Sequence, residues 1–159
     1  MAGKLVLVIG GARSGKSSFA EKYVLNYGSK CAYIATAEIL DEEMAERVKQ
    51  HQLRRNGKRW VNFEAPYNAD NTVAQAGEAA DCILFDCLTL YLSNLMYGKN
   101  APDTFEEKCL YVRNEVDKLL QAAKKTNKTV VFVSNDVGCG IVPDNQMARE
   151  YRDVAGWLN

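Results

Sequence analysis

The feature that most constrains this chain is a short apolar run, Lys4 to Ile9, that breaks into Gly10-Gly11-Ala12-Arg13-Ser14-Gly15-Lys16-Ser17 and then into a helical stretch, Lys16 to Asn26. Uninterrupted Leu, Val and Ile suit a strand buried on both faces of a parallel sheet. The turn that follows matches G-x-x-x-x-G-K-[ST]. Its glycines let the backbone curl so that several N–H groups point at one anion. The helix behind it adds a positive N-terminus. Lys16 is spaced to reach the β- and γ-phosphates of a nucleotide, and the Ser17 hydroxyl to meet Mg²⁺. A glycine-rich turn without a ligand is the competing reading, and the strand before it and the helix after it weigh against that.

The rest of the chain repeats the strand-then-helix rhythm. Cys31–Ala35, Cys82–Phe85 and Val130–Ser134 read as further buried strands, making four with the first, and Trp60–Phe63 as a short extended piece within a loop. Helices are expected over Asp41 to Arg55, Thr72 to Ala80, Leu90 to Tyr97, Thr104 to Lys125, and from Asp144 onward, after a Gly- and Pro-bearing loop, Asn135–Pro143. This alternation predicts an α/β fold with right-handed crossovers and a mainly parallel sheet flanked by helices. A length of 159 residues suits one nucleotide-binding domain, 1–159. The last helical pattern runs to Asn159 with no strand after it, so a C-terminal strand is expected to be absent and the domain truncated there.

Composition narrows the function classes. Twenty Lys+Arg balance 20 Asp+Glu, which disfavours a nucleic-acid partner. No apolar run is long enough to span a bilayer, and the N-terminus lacks a signal-peptide layout. The 5 cysteines are odd in number and scattered, without a C-x-x-C pair, so neither a disulfide framework nor a zinc site is expected. The expected location is the cytoplasm.

Two further places carry chemistry. Ile83-Leu84-Phe85-Asp86 is an apolar run ending in a carboxylate, and with the phosphate loop it suggests that Asp86 and Ser17 hold Mg²⁺. By itself Asp86 reads more readily as a loop or helix-capping residue. An N-K-x-D guanine-reading motif is missing: Asn127-Lys128-Thr129-Val130 has Val in the acidic position, which argues against a regulatory GTPase. His51 is the single histidine. On the Asp41 to Arg55 helix it has Arg47 four residues before and Arg55 four after, an arrangement that suits a phosphate clamp around a nucleophile. Flanking positive charge favours the neutral, nucleophilic imidazole. From the residues alone, a lone histidine on a charged helix is more often a surface or packing residue.

The strings GGARSGKS (10–17), YIATAEILDEEMAERV (33–48), FDCLTLYLSNLM (85–96), VSNDVGCGIVPD (133–144) and AREYRDVAGWLN (148–159) together resemble the bifunctional adenosylcobinamide kinase / adenosylcobinamide-phosphate guanylyltransferase family of cobalamin biosynthesis. The resemblance spans nearly the whole chain. It implies a P-loop, RecA-like sheet and a homotrimer. It implies two reactions: transfer of the γ-phosphate of ATP or GTP to adenosylcobinamide, then transfer of GMP from GTP, through a guanylyl-histidine, to adenosylcobinamide phosphate. It assigns nucleotide binding to Gly10, Gly11, Ala12, Arg13, Ser14, Gly15, Lys16 and Ser17, and to Ala35, Thr36 and Ala37. His51 becomes the guanylylated residue, with Gln52, Leu53 and Arg54 beside it, Glu64 in the guanosine pocket and Asp86 at the metal; Lys16 and His51 are the catalytic pair. Ser134-Asn135-Asp136-Val137-Gly138 is similar to the family's S-N-E-V-G, with Asp136 for Glu. A kinase without the histidine chemistry, and a GTP-binding protein without transfer chemistry, are the alternatives.

Overall fold

Among the described residues five strands form one parallel sheet in the order β1 (Leu5–Gly10), β5 (Thr129–Asn135), β4 (Cys82–Asp86), β2 (Cys31–Ala35), β3 (Trp60–Glu64), and six helices between and after them cover its two faces. The computed structural model describes residues 3–11, 13–55, 57, 59–136 and 145–159, except the side chains of His51 and Arg54. The expectations placed on Ala12, on Val137, Gly138 and the rest of the Gly/Pro loop, and on a helix start at Asp144 lie outside the described residues. The elements are β1 (Leu5–Gly10), α1 (Lys16–Tyr27), β2 (Cys31–Ala35), α2 (Glu42–Arg54), β3 (Trp60–Glu64) and α3 (Ala69–Ala79). They continue with β4 (Cys82–Asp86), α4 (Leu88–Tyr97), α5 (Phe105–Lys125), β5 (Thr129–Asn135) and α6 (Gln146–Leu158).

Two of these differ from the sequence expectation. Trp60–Glu64 is a full strand, the fifth, paired parallel to β2 from Cys31↔Trp60 to Ala35↔Glu64. Its mixed polarity reflects its place at one edge of the sheet, where only part of each face is covered. β1 lies at the other edge, so it is not buried on both faces: Leu5, Leu7 and Ile9 are 41, 40 and 48 % exposed. Its alternate residues, Val6 and Val8, pack on the core. An apolar run reads the same whether or not a layer covers its second face.

The core is split by the sheet. Ala20 and Val24 of α1 pack on Cys31, Tyr33, Leu84, Val131 and Val133 on one face. The other face takes α3, α4, α5 and α6, with Ile34, Ile83, Phe85 and Phe132 meeting Val73, Leu92, Leu95, Leu119 and Val154. α4 is buried along most of its length, which its near-continuous apolar sequence anticipates. Local chemistry sets the helix ends. Thr104 and Glu107 form a reciprocal capping box at the start of α5, and Lys124 and Lys125 face the negative end of its dipole. Asp41 accepts from the Met44 N–H at 2.7 Å to start α2. Arg59 closes α1 from outside: Nη2 donates to the carbonyls of Leu25 and Gly28, each at 2.7 Å.

Strand register brings the candidate residues together. Gly10 pairs with Asn135, Val133 with Asp86, Asp86 with Ala35, and Ala35 with Glu64. The C-terminal ends of all five strands therefore form one row. Open parallel sheets bind ligands at this edge, where the loops and helix N-termini converge.

Candidate active site

The phosphate loop leaves β1 and curls tightly. Gly15 is left-handed, with φ 81°, and caps α1 without any side-chain bond. Arg13 is also left-handed, at φ 57°. A Cβ on Gly10 would stand 2.5 Å from Ser14 Oγ, so a larger residue there would push the Ser14 hydroxyl aside. The first turn of α1 carries no acidic residue, unlike α2 and α5. Its N-terminal N–H groups thus face outward with a positive dipole and no competing carboxylate, as an anion site needs. Lys16 lies back across the loop, Nζ donating to the Gly11 carbonyl at 3.1 Å.

From this loop a cleft of about 390 Å³ runs over the strand ends. Lys16, Ser17, Ala35, Ala37 and Asp86 line it, together with Tyr33, Cys87, Leu90 and Asn135. Its far wall is α2, which contributes Met44, Arg47, Val48 and Gln52. A larger groove, about 680 Å³, runs along α3 and α5. It is lined by scattered residues of both charges, Asp70, Glu78, Asp117 and Lys118 among them, and has no glycine loop or convergent donor set. The smaller cleft is the one that Lys16, Ser17 and Asp86 share, which makes it the candidate site.

Several sequence expectations meet in this cleft. Asp86, at the end of β4, is half-buried and faces the loop that carries Ser17. Hydroxyl and carboxylate oxygens are hard donors, and Mg²⁺ needs only one or two of them beside substrate phosphates, so the pair fits this cation. Gln52 Nε2 donates to Glu64 Oε1 at 3.1 Å, which joins α2 to the end of β3; Gln52 lines the cleft and Glu64 does not. Ala35 and Ala37 line the wall, whereas Thr36 between them is fully buried. Its hydroxyl is engaged with the Cys87 backbone. Leu53 is 52 % exposed and does not line the cleft.

The arginines flanking His51 part company. Arg47 is exposed, lines the cleft, and pairs with Glu43 at 2.6 Å. Arg55 is buried, with its guanidinium carbon 3.9 Å from the centre of the Tyr33 ring and Nη2 3.0 Å from Glu21 Oε2. The symmetric clamp expected from helical spacing is therefore corrected. Arg55 is the C-cap of α2, and its guanidinium is engaged by Glu21 and the Tyr33 ring instead of lining the cleft beside Arg47.

The sequence reading passed over Tyr33 and Cys87. Period-two alternation along β2 puts Tyr33 on the same face as Ala35, a signal that could have found it. Tyr33 OH donates to Asp86 Oδ2 at 3.0 Å. Burial and the neighbouring Asp86 charge push the Tyr33 phenol well up, against the lowering influence of Arg55, so it stays a protonated donor. Burial likewise pushes up the Cys87 thiol, which keeps it a weak nucleophile. Asn135 Nδ2 is held by Thr89 Oγ1 at 3.0 Å, which fixes the end of β5.

An all-parallel α/β sheet, a glycine-rich phosphate loop opening α1, and an acidic strand end separated from the loop strand by β5 define a P-loop nucleotide-binding protein. A solved structure of the same architecture agrees. A KaiC-like protein of Pyrococcus horikoshii superposes with a TM-score of 0.54 over 97 % of this chain and 68 % of its own, at 16 % identity. The family model for cobinamide kinase / cobinamide phosphate guanyltransferase matches residues 6–159, and the chain belongs to that family. Among its relatives, the bifunctional adenosylcobalamin biosynthesis protein CobU of Salmonella typhimurium is 37 % identical over 98 % of this chain and 87 % of its own length. The corresponding CobP of Pseudomonas aeruginosa is 38 % identical over 96 % of this chain and 83 % of its own. CobU of Escherichia coli is 36 % identical over 98 and 87 %.

Proposed function

We propose that this chain carries out both family reactions in the one cleft. In the first, the hydroxyl of adenosylcobinamide attacks the γ-phosphorus of ATP or GTP, a P–O bond forms, and the nucleoside diphosphate leaves with the electron pair of the broken bond. In the second, His51 attacks the α-phosphorus of GTP and pyrophosphate departs. The phosphate oxygen of adenosylcobinamide phosphate then displaces the histidine, giving adenosylcobinamide-GDP. Two displacements through an enzyme nucleophile replace one difficult step.

The observation that carries this reading is the composition of the cleft wall. Lys16, Ser17 and Asp86 of the phosphate site share the cleft with Met44, Arg47, Val48 and Gln52 of α2. Positions 44, 48 and 51 fall at i, i+4 and i+7 of α2, a helical spacing that supports His51 as the nucleophile. Lys16 and the loop N–H groups neutralise charge on the transferred group, and most catalysis of phosphoryl transfer is positioning and charge stabilisation. Arg47 stands where it can balance the α-phosphate. Glu64, presented by Gln52, offers a carboxylate to the N–H groups of guanine. Mg²⁺, held by Ser17 and Asp86, would supply neutralisation of the nucleotide phosphates. The family resemblance implies a homotrimer, which light scattering of the purified chain checks, and the sequence composition points to the cytoplasm. Among the described residues no helix is long and apolar enough to cross a membrane.

The test uses GTP labelled at either the α- or the γ-phosphate, with Mg²⁺ and no acceptor, on wild type and His51→Ala. Acid-labile protein-bound label from the α position alone, lost in the variant, is the expected result. A folded protein that binds GTP and never acquires label would reduce the activity to a kinase or to binding.

A further inference from the structure

Asp86 ends a strand, and the carboxylate torsion there is broad and roughly two-fold, so its oxygens are not aimed by the backbone alone. Among the described residues the Asp86 carboxylate receives one hydrogen bond, from Tyr33 OH to Oδ2 at 3.0 Å. The donor is itself held from several sides. Tyr33 sits in the middle of β2, opposite Leu84 and Asn62, and is only 5 % exposed. Trp60 meets its ring edge-on at 6.5 Å and 84°. The Arg55 guanidinium covers the ring at 3.9 Å, and Arg55 is anchored to Glu21 on α1, the helix that opens with Lys16.

We propose that Tyr33 is a positioning residue for nucleotide-bound metal: its fixed hydroxyl pins Asp86 Oδ2, which turns Oδ1 toward the cation shared by Ser17 and the phosphates. This rests on the assignment of Asp86 to the metal. The donor's neutrality matters. A lysine or arginine at the same place would orient the carboxylate but cancel the charge that attracts a divalent cation. A phenol orients it and leaves the charge in place. Partners that orient a ligand from behind commonly change metal affinity by about 10- to 100-fold when removed.

The experiment uses wild type, Tyr33→Phe and Asp86→Asn in the full chain. Free Mn²⁺ is followed by electron paramagnetic resonance as it is titrated against protein with a non-hydrolysable GTP analogue. In parallel, the Mg²⁺ concentration for half-maximal GTP turnover is separated from kcat at saturating Mg²⁺. Phenylalanine keeps the ring, the Trp60 contact and the surface under Arg55, so only the hydroxyl is lost. The expected result is a rise of about 10-fold in both the Mn²⁺ dissociation constant and the half-saturating Mg²⁺, with kcat largely recovered at high Mg²⁺. A variant of unchanged Mn²⁺ affinity, beside an Asp86→Asn whose affinity falls, would overturn the proposal and leave Tyr33 as a packing residue, whatever its Tm. If Asp86→Asn also binds Mn²⁺ normally, the metal assignment itself fails and takes the proposal with it.

Discussion

Thr36 and Cys87 are locked together through a single hydroxyl: Thr36 Oγ1 donates to the Cys87 carbonyl at 2.8 Å and accepts from the Cys87 N–H at 3.0 Å. The pair ties the end of β2 to the residue after Asp86, and so holds the floor of the cleft. Thr36→Val keeps the shape and orphans a buried N–H. That should cost about 1–3 kcal/mol, while Thr36→Ser should cost much less. Denaturant unfolding of the two variants decides it; a valine variant as stable as wild type would mean the bridge contributes little.

Under the proposed function Lys16 is expected to serve both half-reactions, because it lines the same cleft as α2. Its described hydrogen bond is to Gly11 of the same loop, so its removal should leave stability within about 0.5 kcal/mol. Lys16→Ala should lower kinase turnover and the rate of His51 guanylylation each by about 100-fold or more. Loss of one rate alone would argue that the two reactions use different phosphate sites.

Much of this arrangement was legible in the residues. The loop, its strand and its helix follow from steric and dipole rules that act over a few residues, and Asp86 follows from an apolar run ending in a carboxylate. What escaped depends on neighbours distant in sequence. β1 reads as doubly buried because apolar periodicity cannot say which strand stands at an edge. Arg55 reads as a clamp because helical spacing cannot show that Glu21 and the Tyr33 ring engage its guanidinium. Tyr33 looks like an ordinary core aromatic until β4 places Asp86 against its hydroxyl, a contact across 53 positions of the chain.

Under the proposed function, Glu64 is expected to separate the two nucleotides. It is exposed at the end of β3 and takes its described hydrogen bond from Gln52. A carboxylate can accept from the ring and exocyclic N–H groups of guanine but finds no such pair on adenine. Glu64→Ala should therefore weaken guanylylation by GTP by about 100-fold, the scale for sites that discriminate by hydrogen bonding, and leave ATP-driven phosphorylation within about twofold. Steady-state kinetics with each nucleotide checks this, and equal losses with ATP and GTP would remove Glu64 from base recognition.

Alkaline pH should unfold this protein earlier than its charge balance suggests. Burial pushes the Cys82 thiol up to about 12 and raises those of Cys31 and Cys87. It also pushes the phenols of Tyr91 and Tyr151 up to about 12 and raises that of Tyr33. In the unfolded chain thiols ionise near about 8.5 and phenols near about 10. Above those values the unfolded state has released protons that the folded state retains. Stability is then fully present below about pH 8 and falls as pH rises toward the folded values. Thermal unfolding followed by circular dichroism should give a Tm that is flat from about pH 7 to 8 and drops by several degrees by about pH 10. Cys82→Ala should lessen the fall between about pH 8.5 and 10, since it removes the thiol with the largest described shift. A Tm that holds level across that interval in the wild type would show that these thiols reach solvent in the folded state.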